Sequence, residues 1–113
     1  MGTPLYVAPE MLEHNQAGIF TDLWALGCII YELLVGKNPF YEANSNQVFQ
    51  NILDRNIEFP RHLDNHSRDI IDKLLKLNPY ERLGYASYAD LKMHPFFDGI
   101  DFEKLNNREV DLP

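Results

Sequence analysis

The chain has 113 residues, of which 45% are hydrophobic and 24% are charged, a balance typical of a folded domain or part of one and not of a disordered chain. The formal net charge of -7 repels phosphate backbones, which disfavours a nucleic-acid partner. The single cysteine, Cys28, excludes a disulfide framework within the chain and favours a reducing, cytoplasmic location.

The first residues predict a loop followed by a short helix. Residues 2–8 contain glycine and proline and are expected to be extended. Pro9 then begins a helix over residues 9–13, because proline is tolerated at the first helical position.

The most apolar stretch, residues 21–35, predicts a central helix. Thr21 and Asp22 are residue types found at helix N-caps, and Gly36 is typical of the position just past a helix end. Apolar residues occupy every face of this helix, so we expect it to be buried on all sides. At about 20 Å it is too short to cross a membrane, and no direct membrane contact is predicted for this chain.

Two further helices are predicted where an N-cap residue precedes an apolar stripe. Asn44 or Ser45 caps the first, and Asp64 or Asn65 caps the second. Their inward side chains are expected to be Val48, Phe49, Ile52 and Leu53, then Ile70, Ile71, Leu74, Leu75 and Leu77. A short helix over residues 88–93 and a last turn capped by Asp101 follow. No stretch alternates as a strand does, so the predicted fold class is all-α.

Five short motifs resemble, in the same order, those of the eukaryotic protein kinases. They are Gly-Thr-Pro-Leu-Tyr-Val-Ala-Pro-Glu at 2–10, Asp-Leu-Trp-Ala-Leu-Gly at 22–27, Gly-Lys-Asn-Pro-Phe at 36–40, Asn-Pro-Tyr-Glu-Arg-Leu-Gly at 78–84 and His-Pro-Phe-Phe at 94–97. Five ordered matches leave little room for coincidence. The resemblance implies the lower part of the kinase large lobe, an all-α fragment whose helices pack around one central buried helix.

The later motifs narrow the resemblance to a group of kinases. Residues 82–84 and 94–102 resemble the AGC group of Ser/Thr kinases, and residues 21–31 are most similar to its phosphoinositide-dependent type. Pro4 and Ala8 depart from that type and are commoner in other groups. The resemblance implies a partial kinase domain over residues 1–97, from the end of the activation segment through the last lobe helix. Residues 98–113 would begin an AGC-type C-terminal extension.

The resemblance implies an enzyme that transfers the γ-phosphoryl group of ATP to Ser and Thr hydroxyls of proteins, other AGC kinases among them. Its full-length form would use ATP and Mg²⁺. The chain carries no glycine-rich phosphate loop, strand-three lysine, His-Arg-Asp motif or Asp-Phe-Gly motif. We therefore expect it to bind no cofactor or metal and to be inactive alone. The alternative is a non-catalytic helical interaction module or an inactive kinase remnant.

Two residues, Thr3 and Asp22, are expected to support catalysis by hydrogen bonding to catalytic parts of the enzyme without taking part in the reaction themselves. By resemblance, the Thr3 hydroxyl hydrogen-bonds the catalytic aspartate, and the alternative is an ordinary loop threonine. Asp22 would accept backbone N–H bonds from the catalytic loop, although a first-turn acid is also favoured by the helix dipole alone. Ile29 and Leu33 match positions beneath the adenine site, a role hardly distinct from plain core packing.

Five residues are expected on the substrate side. Gly2, Thr3, Leu5 and Tyr6 belong to the substrate-side loop. By resemblance, Leu5, Tyr6 and Val7 line the pocket for the residue after the phosphoacceptor, and the alternative for these three is simple packing. Glu32 matches an acidic position that meets a basic substrate residue in some AGC kinases, and the alternative is a partly exposed surface acid.

Glu10 and Arg82 are expected to form a buried ion pair that fastens the activation segment to the lobe. The resemblance implies this pairing. Glu10 belongs to the motif at residues 2–10, and Arg82 belongs to the motif at residues 78–84. Arginine suits the role because its planar fork can hold a carboxylate through two hydrogen bonds. The alternative is two separate charges in solvent.

Overall fold

The computed structural model describes residues 6–98 of the chain. The predictions for Gly2, Thr3, Leu5 and the turn at Asp101, and nearly all of the predicted extension, lie outside the described residues. The described part contains five α-helices and two turns of 3-10 helix: α1 Pro9–His14, α2 Ile19–Val35, α3 Ser45–Asp54, α4 Asn65–Leu74, α5 Tyr88–Lys92, and the 3-10 turns Pro79–Glu81 and Pro95–Phe97. Residues 6–98 contain no strand, so the all-α prediction is confirmed. None of these helices combines the length and apolar character needed to cross a membrane.

The central helix α2 begins two residues earlier than predicted. Gly18 is its N-cap, and Thr21 lies inside the first turn. The Thr21 N–H donates to the Gly18 carbonyl at 3.0 Å, and the Gly18 N–H donates to Thr21 Oγ1 at 3.2 Å. The prediction of a Thr21 or Asp22 cap was therefore wrong, because a threonine that reaches back to the cap backbone has the same sequence signal as the cap itself. The helix ends as predicted at Gly36, whose φ of 96° is left-handed.

For each of the next two helices, the sequence offered two N-cap residues, and the structure shows that the caps are Asn44 and Asp64. Asn44 Oδ1 accepts the N–H groups of Asn46 and Gln47 at 2.8 and 3.4 Å. Asp64 Oδ1 accepts the Ser67 N–H at 2.7 Å. Both side chains thus satisfy backbone donors that have no partner within their own helix.

The core lies mainly between α2 and α4. The buried residues of α2 are Leu23, Trp24, Gly27, Cys28, Ile30 and Tyr31, and those of α4 include Ile70, Ile71 and Leu74. Gly27 permits the close approach of these two segments, because a Cβ atom there would lie 2.8 Å from Leu75 Cδ2 and 3.0 Å from Leu74 Cβ. The side chain at position 27 must therefore be absent for the two segments to pack at this distance.

Gly27→Ala is expected to lower the free energy of unfolding by about 1–3 kcal/mol, because the added methyl group overpacks the α2–α4 contact. Urea unfolding of the two proteins measures this difference. Leu75→Ala removes two of the crowding atoms, so the double variant should lose less stability than the sum of the two single losses. A gain in stability on Gly27→Ala, as expected for an uncrowded helix interior, would contradict the packing described here.

One face of α2 is open, contrary to the prediction that the helix is buried on all sides. The side chains of Ile29 and Leu33 are 40% and 70% exposed, and Asp22 on the same stripe is also exposed. Apolar residues at this spacing form a continuous helical stripe that the described residues do not cover. Leu77 was also predicted to point inward but is 42% exposed, because α4 ends at Leu74 before it.

Candidate functional site

The structure brings Glu10 and Arg82 together, although 72 residues separate them in the chain. Arg82 Nη1 donates to Glu10 Oε2 at 2.7 Å, and Arg82 Nη2 donates to Glu10 Oε1 at 2.8 Å. Both side chains are inaccessible to solvent or nearly so, with exposures of 0% for Arg82 and 4% for Glu10. Two parallel charge-assisted hydrogen bonds in a buried setting fix the distance and the orientation of the two side chains.

Arg82 also fastens two other parts of the fold. Its Nε donates to the Lys76 carbonyl just after α4, and its Nη1 donates to the Phe20 carbonyl at the start of α2, both at 2.8 Å. The guanidinium carbon lies 4.9 Å from the centre of the Trp24 ring, within the range of a cation–π contact. One side chain therefore joins α1, α2 and the chain that leaves α4.

The Glu10 carboxylate is kept charged in this buried position. Burial alone would raise the pKa of Glu10, but hydrogen bonds from Arg82 and from the backbone, the Arg82 charge and a hydrogen bond from Thr21 together lower it. The Thr21 hydroxyl donates to Glu10 Oε2 at 3.1 Å. Sequence reasoning missed this contact, because a threonine at a helix start indicates a cap and says nothing of a partner eleven residues away.

Tyr6 and Glu32, both predicted on the substrate side, lie in contact. The Tyr6 hydroxyl donates to Glu32 Oε2 across 26 residues of sequence, and this hydrogen bond raises the pKa of Tyr6. Tyr6 remains 41% exposed, and Glu32 is partly exposed. The pair joins the segment before α1 to the side of α2, so the carboxylate of Glu32 is oriented by an exposed tyrosine.

Asp22 lies exposed in the first turn of α2. An acid in that position interacts favourably with the partial positive charge of the helix N-terminus. It lies on the open stripe with Ile29 and Leu33, and its predicted contact with a catalytic loop stays a prediction.

The part of the chain that the structure describes has no cluster of metal ligands, and a polar groove lies away from the predicted residues. Between residues 6 and 98, no three His, Cys, Asp or Glu side chains are grouped as metal ligands. A groove of about 540 Å³ is lined by the end of α2, the following turn and the end of α3, with Tyr31, Lys37 and Glu58 among its residues. The predicted residues Tyr6, Glu10, Asp22, Glu32 and Arg82 do not line it.

Cys28 is a core residue and not a nucleophile. Its side chain is fully buried, and burial followed by the nearby Glu32 charge raises the pKa of the thiol to about 12. A thiol in that state is not ionised at neutral pH and is shielded from reagents.

We expect Cys28 to resist a disulfide-exchange reagent at neutral pH in the folded chain and to react fully once the chain is unfolded in guanidinium chloride. The absorbance of the released thiolate measures the reaction, and the single cysteine makes the readout specific. Equal rates with and without denaturant would contradict the buried position of Cys28 in α2.

The comparisons with known proteins identify similar sequences over nearly the whole chain. The protein kinase domain pattern matches residues 1–97. The chain is 44% identical over 110 residues to 3-phosphoinositide-dependent protein kinase 1 of Arabidopsis thaliana, covering 96% of this chain and 22% of that protein. The rat protein of the same name is 42% identical over 111 residues, covering 96% of this chain and 20% of that protein.

A third relative is the human cAMP-dependent protein kinase catalytic subunit PRKX, which is 41% identical over 114 residues. That alignment covers 99% of this chain and 32% of the relative. The chain therefore spans between a fifth and a third of the length of these three relatives.

Proposed function

The chain belongs to the protein kinase domain family, and we propose that the protein containing it transfers the γ-phosphoryl group of ATP to Ser and Thr hydroxyls of protein substrates. The observation that carries this proposal is the buried Glu10–Arg82 pair. Each residue comes from a different kinase-like motif, and the two are joined by two hydrogen bonds in a buried setting. The names of the relatives, which include Ser/Thr and cAMP-dependent protein kinases, support the same reaction class.

In this proposal the chain supplies the substrate side of the enzyme. Tyr6 and Glu32 form a polar contact that would flank the substrate peptide together with Gly2, Thr3 and Leu5, and Thr3 would orient the catalytic aspartate. A carboxylate held by Tyr6 is a suitable partner for a basic substrate residue.

Other parts of the enzyme would supply ATP binding, Mg²⁺ and the catalytic base. The Tyr6, Asp22 and Glu32 side chains do not fit a triphosphate, because all three are acidic or hydrogen-bonded to an acid. We therefore assign the described residues no part in holding ATP or Mg²⁺. The open stripe of Asp22, Ile29 and Leu33 is the surface on which those other parts of the domain would pack.

The domain limits follow from the same family membership. We assign residues 1–97 to the kinase domain and residues 98–113 to the start of an AGC-type extension. The match of the protein kinase domain pattern ends at residue 97, which supports this division. The alignments with relatives cover 96–99% of the chain and so continue past that residue. Proposed partners are protein substrates, other AGC kinases among them, in the cytoplasm.

Reassembly with the remainder of a related kinase domain tests this function. The part of the Arabidopsis kinase that precedes the matching segment is produced separately, and its affinity for the 113-residue chain is measured by fluorescence anisotropy. We expect specific binding, and we expect Leu33→Asp to weaken it about tenfold or more, because a carboxylate would be buried in the interface.

Met93→Asp is the matched control, since Met93 is 78% exposed on another part of the fold and its replacement should leave the affinity unchanged. Equal weakening by both variants, or no binding by a folded wild-type chain, would contradict the proposal and favour a non-catalytic helical module.

A further inference from the structure

At the start of α2, the Thr21 hydroxyl lies between one backbone partner and one side-chain partner. Its Oγ1 accepts the Gly18 N–H at 3.2 Å and donates to Glu10 Oε2 at 3.1 Å. The direction of the second bond is fixed by chemistry, because a carboxylate can only accept. The single hydroxyl proton is thus directed at Glu10, while an oxygen lone pair receives the N–H of the helix cap.

Thr21 completes the coordination of the Glu10 carboxylate. Arg82 supplies one N–H to each carboxylate oxygen, at 2.7 and 2.8 Å, and Thr21 supplies a third donor to Oε2. A charged acceptor inside a protein needs several donors to offset its loss of hydration. Three donors from two segments leave the carboxylate little freedom to rotate out of its contact with Arg82.

We propose that Thr21 is a positioning residue that holds Glu10 in register with Arg82 and so ties the start of α2 to α1. The proposal rests on the proposed function, because α1 follows the loop assigned to substrate binding. Its consequence is that α1 is held by a link of three side chains, in which Thr21 couples the cap of α2 to the ion pair. The hydroxyl, and not the shape of the side chain, is the required feature.

The pH dependence of stability separates this role from simple packing. The pKa of Glu10 is lowered in the folded chain, so its stabilising effect is present above the pKa of an unfolded glutamate and is lost as the pH falls through the folded pKa. The Arg82 guanidinium, a backbone N–H and the Thr21 hydroxyl are the groups that lower the pKa of this carboxyl against the effect of burial. Removing the hydroxyl should bring the folded pKa closer to the unfolded one.

The test compares wild type, Thr21→Val and Thr21→Ser in the 113-residue chain. The pKa of the Glu10 carboxyl is followed by NMR of glutamate labelled with carbon-13, and acid unfolding is followed by circular dichroism. We expect Thr21→Val to raise the pKa of Glu10, to move acid unfolding to higher pH and to raise the unfolded-to-folded ratio at neutral pH about tenfold. Thr21→Ser, which keeps the hydroxyl, should restore all three measurements.

Ser87→Ala is the matched control, because the Ser87 hydroxyl makes no capping hydrogen bond and its loss should leave the pKa of Glu10 unchanged. If Thr21→Val fails to fold at neutral pH and Thr21→Ser folds, the requirement for the hydroxyl is supported. If both fail to fold, or if Thr21→Val leaves the pKa of Glu10 unchanged, the proposal is overturned. None of these measurements depends on kinase activity, so a failure of the proposed function would be seen separately.

Discussion

Arg82→Met is expected to lower the free energy of unfolding of the chain by about 3–5 kcal/mol, because it leaves the Glu10 carboxylate buried without its counter-charge. The change also removes the hydrogen bonds from Arg82 to the Phe20 and Lys76 carbonyls. Urea unfolding monitored by Trp24 fluorescence measures the loss. At that magnitude the variant would be largely unfolded if the wild-type chain has only marginal stability.

Two further variants show whether the loss comes from the buried charge. Glu10→Gln combined with Arg82→Met removes both charges and should recover part of the stability lost in the single variant. Lys76→Met is the matched control, because the Lys76–Asp72 pair is exposed and such pairs contribute about 0–1 kcal/mol. Equal small effects of Arg82→Met and Lys76→Met would contradict a structural role for the Glu10–Arg82 pair.

Trp24→Ala is expected to cost about 3–5 kcal/mol, since Trp24 is a fully buried aromatic side chain at the centre of the core. Its ring stacks on Phe40 at a centroid distance of 5.3 Å, and the Arg82 guanidinium covers it at 4.9 Å. The substitution therefore leaves a cavity and also removes a contact that positions Arg82. Thermal and urea unfolding by circular dichroism measure the change without the tryptophan signal.

Trp24→Phe should cost clearly less than Trp24→Ala. A phenyl ring still fills part of the space of the indole. The indole Nε1 makes no hydrogen bond with the rest of the described chain, so the substitution removes no hydrogen bond. Tyr88→Ala serves as a surface control, because that ring is 66% exposed. A loss on Trp24→Ala no larger than that on Tyr88→Ala would place Trp24 outside the core.

The fold class and the Glu10–Arg82 pair could be predicted because each has a signal in the sequence. Helical spacing of apolar residues gave the all-α class, and the two motifs that contain Glu10 and Arg82 gave the pair. The contact from Thr21 has no such signal, since the residue types found at a helix cap are also found one turn inside it. Its partner is set by the tertiary fold, which brings Glu10 of α1 within hydrogen-bond distance of the start of α2.

The open stripe of α2 could not be predicted for a different reason. Periodicity reports which faces of a helix are apolar, but not whether another segment is present to cover them. Ile29 and Leu33 therefore had the same sequence signal as Ile30 and Cys28, which are buried. In the same way, Leu77 continues the apolar spacing of α4 after the helix has ended.

The most direct test of the account is the protein kinase activity of a chimera in which residues 1–97 replace the matching segment of the Arabidopsis 3-phosphoinositide-dependent protein kinase 1. Transfer from radiolabelled ATP to a basic serine peptide is measured with and without Mg²⁺, beside a tyrosine peptide. We predict Mg²⁺-dependent transfer to serine and not to tyrosine, reduced about tenfold or more by Arg82→Met. A folded chimera that binds ATP and transfers no phosphoryl group to serine would contradict the account.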